Sequence, residues 1–276
     1  MSTISAAEVN KLRQMTGAGM MDCKKALIES NGDFEGAIDF LRKKGAKVSA
    51  ARADREAKEG AIIAKTSSDR KLGVIIQLSC ETDFVAKNED FVKFANSIAD
   101  LALTHKPVDA DTLKTLDLDG QPISARLLEY VGKIGEKIDV VKYEIMEANN
   151  IVAYIHGANR LGVLVALNNN ATDENFIAGK DAAMQVAALN PVAVDKDGVD
   201  ASTIERELEI AKEQVRAEGK PENMIEKIAQ GKLSKFYKES TLLNQEFVKD
   251  GSLTVSQMLD KAEKGLTVTA FKRISL

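Results

Sequence analysis

Over the first 45 residues, apolar side chains recur every three or four positions, the spacing of one buried helix face. Ile4, Val9 and Leu12 mark a first helix, which 16-TGAG-19 breaks. Asp22 is placed to cap a second helix carrying Cys23, Ala26 and Leu27. Asn31-Gly32 turns the chain, and Asp33 caps a third helix with Phe34, Ala37, Ile38 and Leu41 on one face. Gly45 stands where a helix end favours a left-handed residue. Residues 46–59 (AKVSAARADREAKE) are charged and alanine-rich without a large apolar stripe, which predicts a linker, either helical or irregular.

From Gly60 the period changes from helical to extended, and the pattern repeats. Residues 62–78 (IIAKTSSDRKLGVIIQL) align without a gap on residues 151–167 (IVAYIHGANRLGVLVAL), with Ala64/Ala153, Leu72/Leu161, Gly73/Gly162, Val74/Val163 and Leu78/Leu167 identical. Each copy reads as a strand, a polar turn and a second strand, an antiparallel hairpin. Each is followed by an apolar stripe at helical spacing, over 91–103 and about 174–189. Ser124 to Val131 reads as a helix, residues 133–137 (KIGEK) as a turn, and residues 138–146 as a strand feeding the second sheet. Residues 200–238 form two charged helical segments around Gly219-Lys220, with Ile204, Leu208 and Ala211 on one and Met224, Ile225 and Ile228 on the other. A strand over 241–248, a helix over 255–264 and an alternating strand over 266–274 complete the chain. The fold class is therefore α+β: a three-helix domain (1–45), a linker (46–59) and two related subdomains (60–137 and 138–276). Each subdomain is a small antiparallel sheet with helices on one face, and a helical hairpin is inserted at about 200–238.

Composition narrows the function. The 276 residues carry a formal net charge of −4, so no global basic field recruits nucleic acid or an anionic membrane. There is no Trp, and 5% of residues are aromatic, too few for base-stacking platforms. Cys23 and Cys80 are too few for a disulfide framework and lack metal-ligand spacing. No basic segment leading into an apolar core opens the chain, which points to a cytoplasmic protein. No GxxxxGK[ST] loop and no GxGxxG after a strand are present, and His105 and His156 stand apart from each other and from both cysteines. No cofactor, metal cluster or catalytic constellation is expected, and the chain reads as a binding protein rather than an enzyme.

The informative stretch is 80–91 (CETDFVAKNEDF). It joins a β-branched strand to a helix, and Thr82 and Asp83 are good helix N-caps. Phe84 then falls in the first turn beside a strand end. Either its ring folds back into the local core, or it projects as a wedge for another protein. The second hairpin is followed by Asn168-Asn169-Asn170 instead, so the scaffold was reused without the apolar element. Met20-Met21 cannot both face one small core from adjacent helical positions, so at least one is expected outside, unless both close that core. His156 in its hairpin turn is a polar turn residue or a contact.

Leu12-Arg13, the run 16–27 (TGAGMMDCKKAL), Asn31-Gly32-Asp33, 80–88 (CETDFVAKN) and 156–165 (HGANRLGVLV) together closely resemble the bacterial elongation factor Ts family, in register from about residue 4 to 275. The resemblance implies a ubiquitin-associated-like three-helix domain, two related core subdomains and a helical hairpin in the second. It also implies binding to elongation factor Tu, a translational GTPase, and acceleration of its GDP release. Thr82, Asp83, Phe84 and Val85 would enter near the partner's magnesium and phosphates, with Phe84 as the wedge. Leu12, Met20 and Met21 would dock on a helix of the GTPase domain, and Ile134, Gly135 and His156 would add contacts. Longer members continue into a further C-terminal helix, whose contacts the resemblance implies are missing here. The three-helix module taken alone also fits an adaptor for a ubiquitin-like protein.

Overall fold

The computed structural model describes residues 4–276. Ser5 opens the first helix, α1 (Ala6–Thr16), through a reciprocal capping box with Glu8, and Gly17 closes it in the left-handed region at φ 66°. Helix α2 (Met20–Glu29) starts at Gly19, so Asp22 lies inside its first turn and pairs with Lys44 instead of capping it. Asp33 caps α3 (Phe34–Ala51) by accepting from the Gly36 N–H. Val9, Leu12, Cys23, Ala26, Leu27 and Ala37 form the core of these three helices.

Helix α3 does not end at Gly45 but runs on to Ala51, through the first residues of the expected linker. The sequence 46–51 contains no breaker, and its alanines favour helix. Gly45 is needed for a different reason. A Cβ there would stand 2.3 Å from the Leu128 carbonyl oxygen, because helix α7 (Ile123–Ile134) crosses α3 at this point with Gly132 opposite. Arg42 also reaches Glu129 across the crossing.

The first sheet has the order β1 (Glu59–Thr66), β2 (Leu72–Cys80), β3 (Asp139–Glu147). Strand β2 is central and buried along its whole length. The strand expected over 138–146 is thus β3 and completes this sheet rather than feeding the second. The second sheet shows the same plan: β4 (Asn150–His156) pairs with β5 (Leu161–Leu167), and β8 (Val268–Ser275) pairs with the other edge of β5. The internal repeat is therefore a three-stranded sheet whose third strand arrives after intervening helices, longer than the hairpin seen in the sequence. The first sheet's helices are α4 (Asp83–Ala86), α5 (Glu89–His105) and α6 (Ala110–Thr115), together with α7.

In the second half, α8 (Asp173–Leu189) lies on the β4–β5 hairpin. Its small residues let it sit close: a Cβ at Gly179 would lie 2.7 Å from Val152 Cγ2. Ala182, Ala183 and Val186 join Val152, Val163 and Val165 in one core. Helices α9 (Ala201–Ala217) and α10 (Glu222–Ser240) form the hairpin, with Ala211, Val215, Ile225, Ala229 and Leu233 buried. The strand expected over 241–248 is reduced to a 3-10 turn and the two-residue β6 (Glu246–Phe247), which pairs with β7 (Asp250–Thr254) ahead of α11 (Val255–Ala262). By contacts, residues up to Ile63 with Ile75–Glu144 make one compact unit. Ala64–Val74 with Ile145–Ser275 make the other.

Candidate functional site

The site is built where β2 ends. Cys80 is buried, and its thiol is pushed up to about 12 by burial and by the nearby Glu136 carboxylate. After Glu81 the chain makes a single helical turn, α4, and a new N-cap, Asn88, then opens α5 by accepting from the N–H groups of Asp90 and Phe91. The one helix expected here is therefore two. Thr82 occupies the N-cap position of α4 but makes no side-chain cap bond, because its hydroxyl donates to Glu136 Oε1 at 2.6 Å.

Phe84 is 84% exposed, the most exposed of the large apolar side chains among the described residues. Of the two readings of its ring, the structure supports the outward one. Val85 and Ala86 are half-buried, and no residue of α4 is fully buried. Asp83 is hydrogen-bonded by Lys87 Nζ at 2.6 Å, which holds its carboxyl below the ordinary range.

Polar contacts hold this turn. Glu136 Oε2 accepts from the backbone N–H groups of Glu81 at 3.0 Å and Thr82 at 3.1 Å. Glu81 returns the contact by accepting from the Lys137 N–H at 2.7 Å. Arg52 and Arg55 bind the same Glu81 carboxylate at 3.1 and 3.0 Å. Burial opposes ionisation of Glu81, but the Lys137 N–H and the two guanidinium groups outweigh it and keep its pKa below the ordinary value. Lys137 Nζ donates to the carbonyls of Ala53 and Arg55. The end of α3, the α4 segment and the turn after α7 thus meet at one polar knot.

The other expected contact residues divide. Met20 and Met21, in the first turn of α2, are both exposed, at 55% and 74%. Leu12 is fully buried in the three-helix core, so it supports the methionine-bearing helix instead of offering a surface. Ile134 ends α7 half-buried, and Gly135 follows it in the left-handed region at φ 80°, one residue before Glu136. These residues all belong to the first compact unit. His156 belongs to the second. It is exposed, it is the last residue of β4, paired with Leu161 and followed by the turn, and its Nδ1 lies 2.9 Å from Tyr154 Oη.

Among the described residues no three of His, Cys, Asp and Glu are grouped to hold a metal, and no helix is long and apolar enough to cross a membrane. The family model for elongation factor Ts matches residues 81–276. The elongation factor Ts of Cytophaga hutchinsonii is 57% identical over 277 residues, spanning the whole of both chains. That of Amoebophilus asiaticus is 55% identical over 98% of each, and that of Christiangramia forsetii 51% identical over all of each. The chain belongs to the elongation factor Ts family. As a translation elongation factor of that family, it carries the α4 segment, the α7 turn and His156 within the matched region, while the first two helices are matched in the full-length relatives.

Sequence reasoning missed Glu81, Glu136, Lys137, Arg52 and Arg55. Their roles depend on pairings between segments far apart in the chain. The local signal was weak: two acidic residues, one at a strand end and one after a helix-ending glycine.

Proposed function

We propose that this protein is a guanine-nucleotide exchange factor that binds elongation factor Tu carrying GDP and promotes GDP release, so that GTP can rebind during translation elongation. The observation that carries the proposal is Phe84, a large apolar ring left in solvent on a four-residue helix fixed by polar contacts. Covering such a ring with a partner would take its apolar area out of water and favour association. Phe84 wedges into the GTPase beside the magnesium and phosphates, with Thr82, Asp83 and Val85 alongside. Magnesium neutralises phosphate charge, so disturbing its site weakens GDP binding. Met20 and Met21 dock on the GTPase domain, and the Ile134–Gly135 turn and His156 add further contacts. The factor acts by binding in the cytoplasm and makes no covalent change itself. It needs no cofactor, nucleic acid or membrane.

The energetics are of the right size. Exchange is a reciprocal coupling: the factor binds the nucleotide-free partner better, and GDP weakens the factor equally. A ~10⁴-fold weakening corresponds to roughly 5.5 kcal/mol. Three apolar side chains, Phe84, Met20 and Met21, contribute about 1.5–3 kcal/mol each when fully buried. Only the share gained in the nucleotide-free state drives release.

Stopped-flow release of a fluorescent GDP analogue from elongation factor Tu tests this. The wild-type protein accelerates release by orders of magnitude, and Phe84→Ala loses at least about tenfold of that acceleration, which is 1.4 kcal/mol. Equal acceleration by the variant would move the mechanism away from Phe84. No acceleration by wild type would overturn the exchange reading.

A further inference from the structure

Helix α4 has no buried residue. A four-residue helix cannot hold itself together in water, since its nucleation alone is unfavourable. Its orientation, and with it the direction of the Phe84 ring, must come from outside. The hydrogen bonds entering its N-terminal approach identify the source. Three of them end on one carboxylate: Glu136 takes the N–H of Glu81, the N–H of Thr82 and the hydroxyl of Thr82, at 3.0, 3.1 and 2.6 Å.

We infer that Glu136 is the positioning residue of the exchange site: its carboxylate aims Phe84 and fastens the α4 segment to the Ile134–Gly135 turn as one rigid contact surface. The inference rests on the exchange reading above and specifies how the wedge is held. A carboxylate suits this role because it is an acceptor with two oxygens, so it can take three donors at once. An amide offers one acceptor oxygen and would turn its NH₂ group on the remaining donor. Bonds to an ionised acceptor are also stronger than neutral ones. The reciprocal bond from the Lys137 N–H to Glu81 prevents the two segments from sliding past each other. Arg52 and Arg55 extend the same anchorage to the end of α3. The helix bearing Met20 and Met21 packs on α3, so all three proposed contact segments of this unit share one fixed frame.

The role is separable from folding. The apolar contacts of β2, α5 and α7 do not pass through Glu136, which is half-buried at the surface. Without its carboxylate, α4 samples several orientations, and the fraction with Phe84 correctly aimed falls. An interaction made only as GDP leaves is felt in the maximal rate rather than in half-saturation.

The test uses the full chain with Glu136→Ala and the milder Glu136→Gln, each also combined with Phe84→Ala, and titrates each variant into the fluorescent-GDP release assay. Glu136→Ala is expected to lower the maximal release rate about tenfold (1.4 kcal/mol) while half-saturation stays within about twofold. Glu136→Gln, which keeps the side-chain volume, falls between. On the Phe84→Ala background, either substitution changes the rate less than about twofold, as expected for two residues acting through one step. Equal losses with and without Phe84, or a loss confined to half-saturation, would overturn the inference. Amide hydrogen exchange over residues 81–86 provides a readout independent of activity. It accelerates at least about tenfold in Glu136→Ala, with α5 unchanged, if the carboxylate holds the segment; unchanged exchange would also overturn the inference. Failure of wild type to release GDP would instead refute the exchange reading, and the hydrogen exchange would still decide whether Glu136 holds the turn.

Discussion

Phe84 and Leu12 are both apolar, both were expected at an interface, and they lie at opposite extremes of burial. Phe84→Ala therefore removes no packing from the folded chain, and its melting temperature should stay within about 1 °C of wild type by calorimetry. Leu12→Ala opens a cavity in the helical core and should cost about 2–5 kcal/mol by urea unfolding. Such a loss would be a stability effect, not evidence of a partner contact. The cysteines make a second residue-scale case. Burial raises both thiols, Cys80 up to about 12, so neither should react with iodoacetamide at pH 8 until urea unfolds the chain. Glu81 sets a pH dependence. Its folded pKa is depressed, so its contribution is complete above the ordinary value of 4.5 and is lost as pH falls through the lower folded value. Protection of the Lys137 amide, which donates to Glu81, corrected for intrinsic rates, should fall as pH drops below 4.5. Residue types and helical spacing made the site's location legible. They could not show which way Phe84 points, because that depends on Glu136, 52 positions away from it in the chain.

Among the elements, two helical glycines separate propensity from packing. Gly45 faces the backbone of α7, and Gly231 in α10 has open space where a Cβ would go. Gly45→Ala should destabilise by about 1–3 kcal/mol, because a backbone carbonyl cannot yield as a flexible side chain can. Gly231→Ala should stabilise by about 0.5–1 kcal/mol, from helix propensity alone. Urea unfolding of both variants checks the opposite signs. Most elements were legible because the apolar period changes from three or four to two at Gly60 and back after each hairpin. The misreadings occurred where packing overrode a local signal. Gly45 resembles a helix end but marks a helix crossing. Strand β3 follows α7 in sequence, yet its partner is β2, formed long before it, and no local pattern names that partner.

At the scale of the whole chain, both sheets place their most buried strand in the middle, β2 in one and β5 in the other. Their amides should be the slowest to exchange, and those of the α9–α10 turn, residues 218–220, among the fastest. The arrangement of the second sheet also bears on how the protein is made. Strand β5 leaves the ribosome with β4 on one side, but its other edge waits through α8, the helical hairpin, β6, β7 and α11 before β8 is synthesised. Throughout that interval the nascent chain carries an apolar strand with open hydrogen-bonding groups, the kind of edge that pairs with another chain. Ribosome stalling upstream of Val268 would thus release a product prone to intermolecular pairing, and the hazard of an interrupted message here is aggregation more than simple loss of a factor.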